Sequence, residues 1–236
     1  MGIRTLRPRL RLLTLKFGQA YLWQDSEDDV TLIDTGVPGC GEEIAAAVRD
    51  TSVIRRVVVT HCHEDHFGSA ADVRSWHGAP VHVHSADAAV VRGERQRNEP
   101  VLTEFDQPLW EHVKSLGVPE THPPACPVDV ELADGDVLDF GGGAHILNLP
   151  GHTAGSIAVH LPEHRVLFTG DTVAEVNGAV IQGVFNQDED QMIADVRRLA
   201  TLDVETACFG HGEPVVADAA AVLRETSKSH QRRRRI

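Results

Sequence analysis

Residues 61–66 read His61-Cys62-His63-Glu64-Asp65-His66, directly after the β-branched apolar run Val57-Val58-Val59-Thr60. Four of these six side chains are good ligands for a transition metal. Imidazole together with carboxylate suits zinc, and also iron or manganese. The apolar run reads as a buried strand, and Gly68 opens a helix expected to reach Trp76. The cluster therefore lies on a strand-to-helix turn, where side chains can converge on one pocket. One turn cannot wrap all four groups round a single ion without strain, so two adjacent ions are the easier arrangement. The constraint on the fold follows: it must bring further ligands to this turn from distant parts of the chain.

Candidates occur downstream, each in a Gly-bearing turn after a strand-like run. They are His152 in Leu149-Pro150-Gly151-His152-Thr153, Asp171 in Phe168-Thr169-Gly170-Asp171-Thr172, and His211 in Cys208-Phe209-Gly210-His211-Gly212. Asp34, in Leu32-Ile33-Asp34-Thr35-Gly36, has the same grammar. The ordered set resembles the metallo-β-lactamase-fold hydrolase superfamily from about Leu12 to about His211, in its glyoxalase II and lactonase-like branch. Carried over position by position, the resemblance implies that His61, His63 and His152 hold one metal and that Asp65, His66 and His211 hold a second. Asp171 would bridge the two. Asp34 would be the buried partner that fixes the tautomer of a metal-bound imidazole. The implied cofactors are two divalent metal ions, Zn2+ first, with Fe or Mn as alternatives.

The same resemblance implies a hydrolase of a small ester, thioester or lactone. A water shared by two cations is ionised near neutral pH and attacks the substrate, so no serine or cysteine nucleophile is required. Asp65 would orient that hydroxide or shuttle a proton. Asp171 stands where dizinc β-lactamases typically have cysteine or serine, which disfavours antibiotic hydrolysis. His63 stands where the di-iron flavoprotein branch has glutamate. Glyoxalase II enzymes add a helical glutathione-binding domain, whereas 25 residues follow His211 here. Alternatives on the same fold are a mononuclear iron persulfide dioxygenase, using the positions of His61, His152 and Asp171 alone, and a phosphodiesterase or β-lactamase-type hydrolase.

The other nine of the fourteen histidines lie outside these turns and read as surface or structural groups. His82 and His84 share a strand face but have no supporting carboxylate motif. Glu64 matches no ligand position. A net charge of −13 argues against a nucleic-acid partner, which needs a basic face to displace counterions. The expected partner is a small-molecule substrate; the sequence does not specify an oligomeric state. Cys40, Cys62, Cys126 and Cys208 form no paired motif and read as free thiols in a reducing cytosol, with Cys62 turned away from the metals. No run reaches membrane-spanning length and no signal-peptide core is visible, so the expected location is cytoplasmic.

One domain is expected over residues 1–227, with a basic disordered tail at 228–236. Arg7, Arg9 and Arg11 alternate with Pro8, Leu10 and Leu12, a pattern suited to an edge strand. Further strands are expected near residues 20–23, 30–34, 57, 81, 137, 145, 157, 166 and 206. Helices are expected over 41–49 and near 68, 86, 187 and 217. This rhythm admits a doubly wound sheet as well as two stacked sheets. The resemblance selects an α/β fold of the second kind, an αββα four-layer sandwich with two mixed sheets flanked by helices. Residues 92–129, rich in proline with Phe105, Leu109, Trp110 and Leu116, read as an insertion that walls or lids the substrate pocket, with a short helix at 108–116. Val173, Glu175, Val176, Val184 and Phe185 are candidates for lining that pocket or for packing.

Overall fold

The computed structural model describes residues 2–48, 53–115 and 123–233. Strands β1 (Gly2–Arg7), β2 (Leu10–Leu15), β3 (Gly18–Gln24), β4 (Asp29–Ile33), β5 (Val53–Val58), β6 (Val81–His84) and β7 (Val130–Leu132) form a seven-stranded sheet in chain order. The first four run antiparallel and the last four parallel. Parallel neighbours need crossovers. These are α1 (Gly41–Val48), the pair α2 (Glu64–Phe67) and α3 (Ala70–His77), and the pair α4 (Ser85–Val91) and α5 (Asp106–Ser115).

The second sheet contains β8 (Val137–Leu138), β9 (Ala144–Asn148), β10 (Ile157–Leu161), β11 (Val166–Phe168) and, last in the chain, a strand at Thr206–Cys208. Between β11 and that strand lie a hairpin, β12 (Val173–Val176) and β13 (Ala179–Gln182), and the helix α6 (Glu189–Leu199). The Thr206–Cys208 strand is thus β14, and α7 (Ala219–Arg233) closes the chain.

Alternation along the strands builds the layers. In β3, Ala20 and Leu22 face one way, against Ile44 and Val48 of α1 and Ala70 and Val73 of α3. Tyr21 and Trp23 face the other way, into a cluster with Ile157, Val159 and Leu161 of β10 and Phe168 of β11. The next residues of the second sheet, Ala158, Leu167 and Ala207, face Met192, Val196 and Leu199 of α6 and Leu223 of α7. Three buried apolar layers therefore separate helices, sheet, sheet and helices, which is the αββα order expected. Period-two side-chain alternation is what lets each sheet bury both faces.

Three local expectations are corrected. The alternating arginines do not lie on one strand, because Pro8 and Arg9 form the turn between β1 and β2. Proline has no N–H for a ladder, and β2 is an inner strand with Leu10 and Leu12 in one apolar layer and Leu13 and Leu15 in another. The helix expected to open at Gly68 is divided: Gly68 ends α2, and Ser69 leaves helical geometry before α3. Ser69 is held there by its hydroxyl, which donates to the Val37 carbonyl at 2.7 Å and accepts from the Cys40 amide at 2.9 Å.

The helix of the proline-rich segment begins at Asp106, not Pro108. Thr103 and Asp106 form a reciprocal cap, with the Asp106 carboxylate accepting from Thr103 N at 3.0 Å and the Asp106 amide donating to Thr103 Oγ1 at 3.2 Å. The backbone of α7 runs on to Arg233, into the segment 228–236. Arg49, Leu116, Pro119 and residues 234–236 lie outside the described residues. Among the described residues no helix is long and apolar enough to cross a membrane.

Candidate metal centre

Strand direction delivers the candidate residues to one edge of the sandwich. β4 and β5 are parallel, and Asp34 and the 61–66 turn follow their C-terminal ends. In the second sheet β11 is parallel to β14, and both β9 and β11 are antiparallel to β10. His152, Asp171 and His211 therefore leave the C-terminal ends of three strands that point the same way. The two sheets are stitched together at this edge by Ile157 N–H donating to the Thr60 carbonyl at 2.9 Å. Clefts at strand carboxyl ends are where open α/β sheets place ligands.

All seven candidate ligands meet there. Their coordinating atoms form three groups, each within 4.8 Å: His61, His63 and His152; His61, His66 and Asp171; Asp65, His66 and His211. His63 Nδ1 lies 3.0 Å from both His61 Nε2 and His152 Nε2. Asp171 Oδ2 lies 3.4 Å from His211 Nε2, 3.7 Å from His152 Nε2 and 4.0 Å from His61 Nε2. Its other oxygen lies 3.4 Å from His66 Nε2, and Asp65 Oδ2 lies 3.2 Å from His211 Nε2. Asp171 thus stands between the two outer groups. Close backbone approach makes this compactness possible: a Cβ at Gly210 would run into the Asp171 carboxylate and the His66 ring.

The imidazoles are oriented from behind. Asp34 accepts from Thr60 N at 2.7 Å, from Thr60 Oγ1 at 2.8 Å and from His66 Nδ1 at 2.8 Å. Thr60 Oγ1, having donated to Asp34, accepts from His61 Nδ1 at 3.1 Å. Asn186 Oδ1 accepts from His152 Nδ1 at 3.3 Å, while its amide donates to Gly183 O and Glu189 Oε2. These partners place protons on the outer nitrogens of His61, His66 and His152 and leave Nε2 of each free to face the centre. Asp34 adopts φ 60°, a left-handed conformation that aspartate tolerates better than most residues.

Burial holds His61, His63 and His152 below the usual histidine range, and the facing imidazoles reinforce this at His61 and His63. Burial works against charge at His66 too, yet Asp171, Asp65 and Asp34 outweigh it and raise that ring. At His211 partial burial is likewise overcome by Asp171 and Asp65, which push it up to about 10. Asp171 and Asp65 are held well below the carboxylate range by His66 and His211, against the effect of burial. The centre therefore combines neutral imidazoles on one side with ionised carboxylates on the other.

This donor set fits a pair of cations. His66 Nε2 and Asp171 Oδ1 are buried and make no hydrogen bond with the protein. Orphaned polar atoms of this kind are costly unless a further partner satisfies them. Nitrogen and oxygen donors at this density, with fixed tautomers, match the ligand chemistry of zinc or iron.

Other expectations are resolved around this centre. The Cys62 side chain lies in the apolar layer against α1 and α3, away from the ligands, and all four cysteines are free and buried. Glu64 pairs with Arg97 at 3.1 Å. His82 and His84 join none of the ligand groups, and His84 Nδ1 instead accepts from Ala86 N at the start of α4. Val173 packs in the apolar layer under α6, Val176 is exposed, and Glu175 binds the amide of Glu213 at 2.8 Å. Phe185 stacks edge-on against Trp110, with ring centroids 4.9 Å apart. The near end of the proline-rich segment is anchored beside the centre, since Val101 N–H donates to the carbonyl of Asn186 at 2.8 Å. Thr60 and Asn186 carry no motif of their own; they are recognisable only through their contacts with distant histidines.

The comparisons agree with this geometry. The family model described as the metallo-beta-lactamase superfamily matches residues 13–211. A hydroxyacylglutathione hydrolase of Cereibacter sphaeroides is 27% identical over 195 residues, which is 81% of this chain and 61% of that protein. The acyl-coenzyme A thioesterase MBLAC2 of Gallus gallus is 31% identical over 165 residues, covering 65% of this chain and 55% of that protein. The chain thus spans roughly six-tenths of the length of these curated relatives. TTHA1623, solved in a di-iron-bound form, superimposes with a TM-score of 0.65 at 26% identity, covering 91% of this chain and 97% of its own. Fold, converging side chains and family model coincide over the same stretch, and the chain belongs to the metallo-β-lactamase superfamily.

Proposed function

We propose that the protein hydrolyses a small ester, thioester or lactone, with two divalent metal ions, zinc first, held by His61, His63 and His152 on one side and by Asp65, His66 and His211 on the other, and Asp171 between them. The observation that carries this reading is the convergence of seven ligand-type side chains from two sheets, with Asp171 in reach of His66, His152 and His211. Two such ions supply a water ionised near neutral pH and a Lewis acid for the substrate's carbonyl oxygen.

The chain's own residues prepare the site. Asp34, Thr60 and Asn186 hold protons on the outer ring nitrogens, so the inner ones stay available. Of the three carboxylates Asp65 is the most open, with 26% side-chain exposure against 15% for Asp171 and 4% for Asp34. Its depressed proton affinity makes it a weak base, which suits orienting a water at the rim more than holding that water's proton. The segment anchored at Val101 would wall the site, with the Trp110–Phe185 pair adding apolar surface to it. One relative is named a hydroxyacylglutathione hydrolase and the other an acyl-coenzyme A thioesterase, which favours a thioester first; the di-iron form of TTHA1623 makes iron the second metal to supply. Four unpaired cysteines fit a reducing cytosol.

The test is a panel of acyl thioesters, aryl esters and lactones assayed with zinc-, iron- and manganese-loaded protein. Hydrolysis of at least one class is expected, with kcat/KM reduced a hundredfold or more in His66→Ala and His211→Ala. Full activity in both variants, or oxygen uptake with a thiol persulfide in place of hydrolysis, would overturn the proposal.

A further inference from the structure

Asp87, in the first turn of α4, is buried and belongs to none of the ligand groups. Its carboxylate joins the two turns that carry His61, His63 and His152. Oδ2 accepts from the backbone amide of Cys62 at 2.9 Å and from Thr153 Oγ1 at 2.6 Å; Oδ1 accepts from the amide of Gly155 at 2.9 Å. Cys62 stands between His61 and His63, and Thr153 directly follows His152. The two turns come from different sheets, so this carboxylate spans the junction between them.

The packing allows little slack. A Cβ at Gly155 would come within 2.6 Å of the Asp87 Cβ. Thr153 Oγ1 is also 2.9 Å from Ser156 Oγ, which accepts from the Thr153 amide at 3.0 Å. The amides of Cys62 and Gly155 can only donate. A carboxylate accepts from both and from the hydroxyl, whereas an isosteric amide turns its own NH2 group against one of these donors.

We propose that Asp87 is a positioning residue that sets the separation of His63 from His152, and with it the geometry of the metal site formed by His61, His63 and His152. The inference rests on the metal-centre reading above. Residues behind the ligands commonly govern metal affinity by factors of roughly 10–100.

The experiment titrates metal-free, full-length protein with Co2+, read by its visible absorption, and with Zn2+ in competition with a chromophoric chelator. Each variant is held well below its own melting temperature. His152→Ala identifies the metal equivalent belonging to this group. Asp87→Asn is expected to weaken that equivalent tenfold or more and to change the Co2+ spectrum. Thr153→Val shifts both in the same direction, and Thr153→Ser, which keeps the hydroxyl, restores wild-type values. Asp106→Asn removes another buried carboxylate, at the start of α5, and lowers the melting temperature of the metal-free protein without changing metal affinity. Wild-type affinity and spectrum in both Asp87→Asn and Thr153→Val would overturn the inference, whatever their melting temperatures; if Asp87→Asn does not fold, Thr153→Val decides alone. A wild-type protein that takes up no metal would overturn the metal-centre reading and this inference together.

Discussion

Asp34 shows how much of the centre depends on residues that are not themselves ligands. Its two oxygens accept three hydrogen bonds in a buried site, one of them from His66 Nδ1. Asparagine in its place has one acceptor oxygen and an amide facing donors. A buried group left unsatisfied costs about 1–3 kcal/mol, and His66 loses the partner that fixes its tautomer. Asp34→Asn is therefore expected to lower metal affinity by roughly 10–100-fold in chelator competition; unchanged affinity would contradict the role assigned to Asp34. At this scale the side chains that converge were legible, because each is a histidine or aspartate in a turn that follows an apolar run. Asn186 and Asp87 were not. Asparagine and aspartate are ordinary surface residues, and these two gain their roles from partners 34 and 66 positions away.

Strands and helices were legible wherever one side-chain period dominated. The run at Val57 reads as a buried strand because both faces of the sheet are covered there, and α1 reads as a helix through Ile44 and Val48. Boundaries failed where a single side chain overrode the pattern, as Ser69 does between α2 and α3 and Thr103 does at the start of α5. The β12–β13 hairpin was missed although Asn177-Gly178 carries the local signal for it, with φ of 52° and 84° suited to a tight two-residue turn. Its strands are four residues each and their burial follows no alternation, so a period of two does not stand out. The choice between a doubly wound sheet and a sandwich also lay beyond element patterns. It depends on which face of each strand meets which layer, and Tyr21, Trp23, Val159 and Phe168 reveal that only once they are seen in one cluster.

For the molecule as a whole, three apolar layers hold the sandwich together while the charged centre at its edge stays under electrostatic tension. In the metal-free protein His211 is raised from 6.5 to about 10 because Asp171 and Asp65 prevail over its burial, and His66 is raised as well. The folded state then binds more protons than the unfolded one between pH 6.5 and about 10. That contribution to stability is complete below 6.5 and is lost as pH rises through 10. The melting temperature of chelator-treated protein should accordingly fall between pH 7 and pH 10. With metal bound, cations replace those protons among the carboxylates and the fall should be smaller. Equal slopes with and without metal, followed by calorimetry, would count against the assignment of His66 and His211.

The two outer ligand groups are each expected to hold an ion. Anomalous X-ray diffraction at the metal absorption edge, on crystals of protein purified with zinc or iron supplied, addresses it most directly. Two anomalous peaks per chain are expected, one against His61, His63 and His152 and one against Asp65, His66 and His211, with Asp171 reaching both. A single peak against His61, His152 and Asp171 alone, or no peak at this edge of the sandwich, would contradict it.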